Sequence, residues 1–429
     1  MSLPDPFSPS PSLPPKAEVA IVGGGIIGVS AAWQLARRGV SVALCEKGEI
    51  GAEQSGRNWG YCRQQGRDPV EIPLAMESLR IWRGLGRDLG TDTGFRETGI
   101  LYVSDDEATI AGWHEWIGHA EPYQLDTRLL SPDETAALIP ESAKRWRAGF
   151  WTPGDGRAEP TKAAPAIASA AQKLGAAIAT RCAVRGLDIE AGRVVGVVTE
   201  NGVLRTDAVL LAGGAWSRLF CKRHGLTLKA LNVRASVLRT SPTADVFSGG
   251  LSGPDYSIRR RLDGGYSLAQ AGATTYEVVP DGLRWFGDFW PAYLKERDKM
   301  KVRIGRSFFA ELAQKTDWPF DHPSPFEAAR ILDPRPDMGV LAKALGALKH
   351  DFPALETVRI EESWAGMIDA TPDAVPVISE VGALPGLFLA TGFSGHGFGI
   401  GPGAGRLAAD IVTGTAPCVD PAPFRLARL

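Results

Sequence analysis

Residues 19–28 read Val-Ala-Ile-Val-Gly-Gly-Gly-Ile-Ile-Gly, and a second short apolar run ends at Glu46. This order predicts a strand, a tight glycine turn, a helix, and a second strand with an acid at its end. Gly23 allows the sharp turn, Gly25 lets a pyrophosphate approach the backbone, and Gly28 lets the helix pack close to the sheet. Glu46 stands where a carboxylate accepts hydrogen bonds from a ribose diol. The stretch favours a dinucleotide site over an ordinary glycine turn of an α/β sheet.

The composition is that of a globular protein. The chain has 429 residues, of which 44% are hydrophobic and 22% are charged, so it has room for two domains. The formal net charge of −2 gives no reason to expect nucleic acid as a partner. The five cysteines are scattered, and no C-x-x-C occurs among Cys45, Cys62, Cys182, Cys221 and Cys418. We therefore expect no disulfide framework, no metal site and a reducing compartment.

The first sixteen residues contain six prolines and four serines, which predicts a disordered leader over 1–16. This leader lacks the charged start and hydrophobic middle of a signal peptide. No run approaches the roughly 18 apolar residues of a membrane-spanning helix. We expect a cytoplasmic protein without integral membrane contact.

The order of strand and helix patterns predicts two domains that are threaded through each other. We expect an α/β Rossmann-like cofactor domain built from 17–92, 155–235 and 362–429. A substrate domain of α+β class, with a mainly antiparallel sheet, would take up 93–154 and 236–361. In that second domain, the charged stretch from Trp290 to Gln314 is predicted to be one long helix.

A second glycine-rich segment lies near the end of the chain. Seven of the sixteen residues in 390–405 are glycine, an apolar strand precedes them, and a helix is predicted from about Gly403. So bare a backbone allows a flat ring to lie against it, and the helix N-terminus stabilises negative charge. The alternative is a plain flexible loop, which the flanking strand and helix disfavour.

Taken together, the motifs resemble the D-amino acid oxidase superfamily of FAD enzymes. Glycine oxidase, sarcosine oxidase and the bacterial D-amino acid dehydrogenases would be the nearer relatives. The resemblance covers nearly the whole chain. It rests on the first glycine turn with Glu46 and on the segments at 55–58, 155–160, 211–217, 258–264, 364–373 and 392–399.

The resemblance implies a buried, extended FAD whose ADP half lies on the first glycine turn and whose flavin lies on the last one. No cysteine occurs between Cys221 and Cys418, so we expect non-covalent FAD. The residues implied at the cofactor are Gly23, Gly25, Gly28, Glu46, Ser55, Arg57, Asn58, Val184, Ala212, Gly213, Gly395, His396, Gly397 and Phe398.

The substrate end departs from the family pattern. Several relatives have an arginine four residues after the tryptophan, where it binds the substrate carboxylate, but this chain has Ile368. Arg259 and Arg261 would share one face of a strand, so we predict that they bind the carboxylate instead. The other candidates are Arg63 and Arg335. Alternatively, the substrate lacks a carboxylate there and Asp369 faces a cationic group.

The resemblance implies that a hydride passes from a carbon bearing nitrogen to flavin N5, giving an imine that water hydrolyses. His396 would border the flavin and is a candidate catalytic residue. The substrate would be a small amine or amino acid, and oxygen or a respiratory carrier would take the electrons. The alternatives are oxidation of a 2-hydroxy acid on the same fold and a flavoprotein subunit of a larger oxidase complex.

Overall fold

The structure is a computed structural model and describes residues 3–429. The strands are β1 Val19–Val22, β2 Val42–Cys45, β3 Tyr61–Cys62, β4 Arg96–Glu97, β5 Ile100–Ser104, β6 Arg128–Leu130, β7 Ala148–Thr152, β8 Gly156–Arg157, β9 Ala177–Ala179, β10 Val184–Glu190, β11 Arg193–Thr199, β12 Gly202–Arg205, β13 Ala208–Leu211, β14 Leu231–Thr240, β15 Gly250–Ser252, β16 Ser257–Arg260, β17 Tyr266–Ala269, β18 Thr274–Glu277, β19 Lys301–Arg303, β20 Ile360–Ala370, β21 Val377–Glu380 and β22 Leu387–Thr391.

The α-helices pack around and between these strands. They are α1 Ile26–Ala36, α2 Gln54–Arg57, α3 Ile72–Leu89, α4 Glu107–Ala120, α5 Pro132–Leu138, α6 Pro160–Lys173, α7 Ser217–Arg223, α8 Pro280–Arg284, α9 Phe286–Glu296, α10 Arg306–Ala313, α11 Pro325–Ala328, α12 Met338–Asp351 and α13 Gly397–Thr413.

A six-stranded sheet has the order β21-β22-β13-β1-β2-β9. Its pairings are parallel except that of the edge strand β21 with β22. Strands β1, β2 and β13 are short and almost wholly apolar, as expected for parallel strands covered on both faces. Because parallel strands end on the same edge, β1 and β22 bring the two glycine-rich segments to one side of the sheet.

Helix α13 lies between α1 and α3, and its glycines decide how closely it packs. A Cβ on Gly401 would lie 2.8 Å from Ile26 Cγ1, and one on Gly405 would lie 2.4 Å from Ser30 Cβ. A Cβ on Gly403 would lie 2.8 Å from Leu74 O on α3. The helix begins at Gly397 and not near Gly403, so several of these glycines serve helix packing and not a loop.

A ten-stranded sheet, mostly antiparallel, forms the second layer. Its longest pairing joins β14 to β20, from Leu231 opposite Ala370 to Thr240 opposite Ile360. The predicted domain limits at 235/236 and 361/362 fall inside these two strands. Both strands belong to the second sheet, which approaches the first sheet at the glycine-rich edge.

The prediction of a disordered leader is wrong for residues 3–16. The N–H of Asp5 donates to Thr161 O at 2.9 Å, and that of Ser10 donates to Ile178 O on the edge strand β9 at 2.8 Å. Phe7 and Leu13 pack against buried apolar clusters. A proline-rich segment cannot form regular structure alone, but it is ordered here by neighbours distant in sequence. Residues 1–2 of the predicted leader lie outside the described part.

The single long helix predicted for 290–314 is also wrong. Helix α9 ends at Glu296, strand β19 follows at Lys301–Arg303, and α10 begins after Gly305. Strand β19 pairs with β18 and adds an edge to the second sheet, so tertiary pairing overrides the local helical pattern.

None of the helices in residues 3–429 has the length and apolar character needed to cross a bilayer.

Candidate functional site

The first glycine turn has the backbone that its sequence predicts. Gly23 has a φ of +111°, and a Cβ there would lie 2.4 Å from Ala212 O, so only glycine fits. A Cβ on Gly28 would lie 2.0 Å from Gly23 O. The N–H of Ile26, at the start of α1, donates to Ser55 Oγ at 2.8 Å. The turn therefore leaves a bare surface next to a helix N-terminus.

Glu46 follows β2 and faces the same turn. One of its carboxylate oxygens accepts from Gly24 N–H and the other from Gly48 N–H, each at 2.7 Å. Burial raises the pKa of this carboxyl, and the two N–H donors offset part of the rise. Each oxygen keeps a second acceptor position, so Glu46 can hold the loop and still bind a diol.

The α2 segment lies above this turn, and its polar groups are largely occupied by the protein. Arg57 is buried; its Nη1 donates to Ala365 O at 2.9 Å and to Asp333 at 2.7 Å. The Asn58 amide donates to Ser55 O at 2.7 Å. Both residues line the cavity described below, and their contact with the flavin or pyrophosphate stays a prediction.

The last glycine-rich turn is anchored from β20. Asp369 is buried and accepts from Gly392 N–H at 2.7 Å and from Thr391 Oγ1 at 3.0 Å. Burial raises the pKa of Asp369. The carboxyl group thus holds the turn, which weakens the idea that it faces a cationic substrate group. Gly395 follows with a φ of +85°, and Ile368 Cδ1 lies 3.6 Å from where its Cβ would be.

His396 caps α13 and pairs with Glu71 at the N-terminal side of α3. Its Nδ1 lies 3.1 Å from Glu71 Oε2. Burial lowers the pKa of His396, and Arg67 lowers it further. Burial raises the pKa of Glu71, but the hydrogen bond from His396 and the charges of His396 and Arg67 outweigh burial, so the net shift is downward. The arrangement favours an ionised Glu71 that accepts a hydrogen bond from the Nδ1–H of a neutral imidazole.

One large cavity, of about 890 Å³, joins the two glycine turns. Val184 and Glu46 line it at one end, and Gly395 and His396 line it at the other. Its roof comes from the second sheet and from the segment carrying α8, α9 and β19. The predicted cofactor residues that line it are Gly23, Gly25, Glu46, Ser55, Arg57, Asn58, Val184, Ala212, Gly213, Gly395, His396, Gly397 and Phe398. Gly28 lies beneath the turn.

The prediction that Arg259 and Arg261 bind the substrate is wrong, because neither lines this cavity. Arg259 is fully buried and pairs with Glu159 at 2.8 Å. Arg261 pairs with Asp263 at 2.9 Å. The two arginines do share a face, since both donate to Ser267 Oγ. That face is covered by Glu159, which strand periodicity alone could not reveal.

The arginines that do line the cavity near the last turn are Arg63 and Arg67. Arg63 was one of the sequence candidates; Arg67 and Glu71 were missed, and Arg335 does not line the cavity. A spacing of four residues from Arg63 to Arg67 to Glu71 is the one signal that could have drawn attention to them. Such spacing is common on solvated surfaces, so it is a weak signal.

Within the described residues, no group of three or more His, Cys, Asp or Glu side chains is arranged to hold a metal ion.

Comparison with known proteins agrees with this geometry. The family model described as DAO, FAD dependent oxidoreductase, matches residues 18–411. The chain belongs to this family. It is an FAD-dependent oxidoreductase, and the residues at both glycine turns fit FAD. Gly23, which has no side chain to block a ligand, and the carboxylate of Glu46 lie at one end of the cavity. The turn at Gly395 lies at the other end.

The relatives of this FAD-dependent oxidoreductase act on amino acids and amines, as their names state. Glycine oxidase from Geobacillus kaustophilus (strain HTA426) is 27% identical over 425 residues, which are 96% of this chain and 97% of that protein. Mitochondrial sarcosine dehydrogenase from Mus musculus is 25% identical over 95% of this chain, but the chain spans only 41% of that protein.

Among solved structures, the L-amino acid deaminase from Proteus myxofaciens in complex with anthranilate is similar over 100% of this chain and 96% of that one. The TM-score is 0.94 at 34% sequence identity. The likeness therefore extends to both sheets.

We expect FAD to leave the oxidoreductase when it is precipitated with acid. Among the described residues that line the cavity, Cys45 is the one cysteine, and it lies next to Glu46 at the end far from the last turn. Cys62, whose Cα lies 3.2 Å from where a Cβ of Gly399 would be, is fully buried and does not line the cavity. The measurement is the absorbance of the supernatant; a yellow pellet that releases flavin only after proteolysis would contradict non-covalent binding.

Proposed function

We propose that this oxidoreductase oxidises an amino acid or amine at the carbon that bears nitrogen. In this proposal the six-stranded sheet is a Rossmann-like FAD domain and the ten-stranded sheet carries the substrate domain. The observation that supports the proposal is the single cavity, which runs from Glu46 to the His396–Glu71 pair and continues beneath the second sheet. The relatives named for glycine, sarcosine and L-amino acids support this substrate class.

FAD, when bound, supplies an acceptor for hydride at N5. The protein must hold the substrate carbon about 3–3.5 Å from that acceptor in the right orientation. The roof contributes the apolar side chains of Leu283, Phe286, Trp290 and Met300, which line the cavity. Loss of hydride from a neutral amine leaves an iminium ion, and loss of a proton from nitrogen gives the imine. Water hydrolyses the imine to the oxo product and releases ammonia or an amine.

Glu71 orients the imidazole ring of His396 at this end of the cavity. Because Nδ1 is engaged by Glu71, the ring orientation is fixed, and the burial that lowers the pKa of His396 keeps the imidazole neutral near pH 7. A neutral imidazole adds no positive charge beside a substrate amine, so the neutral, reactive form of that amine is not disfavoured.

We expect anaerobic addition of an amino acid to the yellow holoprotein to bleach the flavin absorbance. A panel of D-, L- and N-substituted amino acids should contain at least one compound that reduces the flavin within seconds to minutes. The matched 2-hydroxy acids serve as controls. If only a 2-hydroxy acid bleaches the flavin, the result favours the alternative that the protein oxidises 2-hydroxy acids. If no compound bleaches it, the result favours a flavoprotein subunit of a larger oxidase complex.

The acceptor of the electrons is identified with the reduced protein from the same experiment. Rapid return of the yellow colour in aerated buffer, with formation of hydrogen peroxide, indicates an oxidase. Slow return in air but rapid return with a quinone indicates a dehydrogenase that passes electrons to a respiratory carrier.

A further inference from the structure

A second, smaller cleft lies where helices α1, α3 and α13 meet. It has a volume of about 430 Å³ and shares none of its lining residues with the large cavity. Five of its ten lining residues are arginines, namely Arg37, Arg38, Arg80, Arg87 and Arg406. Asp88 is the one carboxylate among the ten. So dense a positive surface is unexpected in a chain whose formal net charge is −2.

The carboxylates beside the cleft balance only part of this charge. Glu77 is shared by two of the arginines, Arg80 at 2.8 Å and Arg406 at 2.6 Å. Arg38 and Arg87 each lie beside one carboxylate of their own. Within residues 3–429, three carboxylates thus face five arginines, which leaves two positive charges without a counterion.

Arg37 is oriented by packing and not by an acid. Its guanidinium lies over the ring of Trp33, 4.6 Å from the centroid. The side chain makes no ion pair or hydrogen bond with any residue in the described part of the chain. Stacking uses one flat face of the guanidinium and leaves the N–H groups at its edge available. Arg37 can therefore donate to an anion in the cleft.

A buried amide gives independent evidence for a ligand. Gln34 lines the cleft and is only 7% exposed. Its side chain has no hydrogen-bond partner among residues 3–429. Since nearly all buried polar groups in proteins are paired, this amide indicates that a molecule from outside the chain supplies its partner.

Helix ends explain only part of the arginine cluster. Helix α1 ends just before Arg37 and Arg38, and α3 ends just after Arg87, where positive charge stabilises the helix dipole. Arg80 and Arg406 lie near the middle of α3 and α13, so the dipole gives no reason for them. The feature that all five arginines share is the cleft itself.

We infer that this cleft binds a phosphate group, either free or carried by a small molecule. A phosphate monoester has a charge of about −1.5 to −2 at pH 7, which matches the two positive charges left over. Its three terminal oxygens can accept from several guanidinium groups at once. The volume is typical of a small-molecule pocket. The inference does not rest on the proposed oxidation, because no residue of the cleft lines the FAD cavity.

The test is calorimetric titration of the FAD-saturated holoprotein after free FAD has been removed. Ribose 5-phosphate and ribose are compared, because they differ by one phosphate, and inorganic phosphate is titrated separately. We expect ribose 5-phosphate to bind, more weakly at high salt, and ribose to give no heat. Arg37→Gln should raise the Kd of ribose 5-phosphate about tenfold, as for loss of a hydrogen bond to a charged group.

Two further variants separate the cleft from general positive charge. Gly84→Leu keeps all five arginines but fills the cleft, and it should abolish binding; a Cβ at Gly84 would lie 3.3 Å from the flexible end of Arg87. Arg83→Gln is the matched control, since Arg83 is on the same helix, pairs with Glu97 and does not line the cleft. It should change the Kd less than about threefold. If Gly84→Leu does not retain FAD, Gln34→Leu takes its place.

The outcomes decide the inference and its source of phosphate. Equal affinity for inorganic phosphate and ribose 5-phosphate supports a site for free phosphate, and tighter binding of the ester supports a phosphorylated metabolite. No binding of either compound, equal binding of ribose, or an unaltered Kd in both Arg37→Gln and the cleft variant would overturn the inference. Equal weakening in Arg83→Gln, or binding of an RNA oligonucleotide without binding of the small phosphates, would overturn it too.

Discussion

Replacing Arg259 with Met should lower the free energy of unfolding by about 3–5 kcal/mol, because it leaves Glu159 as an unpaired buried charge. Arg259 is fully buried and donates to both carboxylate oxygens of Glu159, at 2.8 and 3.2 Å. Burial raises the pKa of Glu159, but the charge and hydrogen bonds of Arg259, together with the charge of Arg261 and the Leu262 N–H, outweigh burial and the net shift is downward. The carboxyl therefore depends on this one guanidinium more than on any other neighbour.

Chemical denaturation of the FAD-saturated protein measures this loss. Arg261→Met is the control, since Arg261 pairs with the more exposed Asp263 and should cost less than about 1 kcal/mol. A double variant, Arg259→Met with Glu159→Leu, should recover part of the stability because both charges are removed. An Arg259→Met protein of unaltered stability with a raised KM for amino acids would restore the original prediction that Arg259 binds substrate.

Replacing Glu46 with Ala should weaken FAD binding about 10- to 150-fold, as expected when hydrogen bonds to a charged group are lost. Glu46 lines the cavity and holds the N–H groups of Gly24 and Gly48. The substitution removes the acceptor for the predicted ribose diol and also frees the loop beside it. Glu46→Gln separates these effects, because its amide oxygen can keep one of the two backbone bonds.

Equilibrium dialysis of FAD against the apoprotein measures the affinity. Glu18→Ala is a suitable control, since Glu18 precedes β1 at the opposite end of the strand and accepts from Ser41 N–H. In FAD-saturated protein, the rate of flavin reduction by substrate should change much less than the affinity does. An unaltered FAD affinity in Glu46→Ala would show that Glu46 does not bind the cofactor.

The parts of the site that could be predicted from sequence are those fixed by local backbone chemistry. A glycine turn between an apolar strand and a helix has few conformations available, so the geometry at Gly23 and the position of Glu46 follow from about thirty residues. Strand alternation likewise placed Arg259 and Arg261 on one face. It could not say that Glu159, a hundred residues earlier in the chain, covers that face.

Other features depend on partners that a single sequence does not display. The glycines after His396 were interpreted as a bare loop, because their spacing does not reveal that α1 and α3 press against a helix there. Arg63 was only one of several candidate arginines in the sequence and Arg67 was not among them; the structure places both on the wall of the cavity. Polar residues in a loop carry no periodic pattern that separates a binding group from a solvated one.

The glycine contacts between α13 and α1 have a consequence for cofactor choice. Helix α1 starts at the first turn and α13 starts at the last, and their close approach at Gly401 and Gly405 ties the two starts into one stiff unit. The gap between the turns is then a constant of the protein, and a ligand has to match its length. Flavin mononucleotide, which lacks the adenosine half, can touch only one of the two turns. The fixed distance between the two turns therefore selects a cofactor by its length.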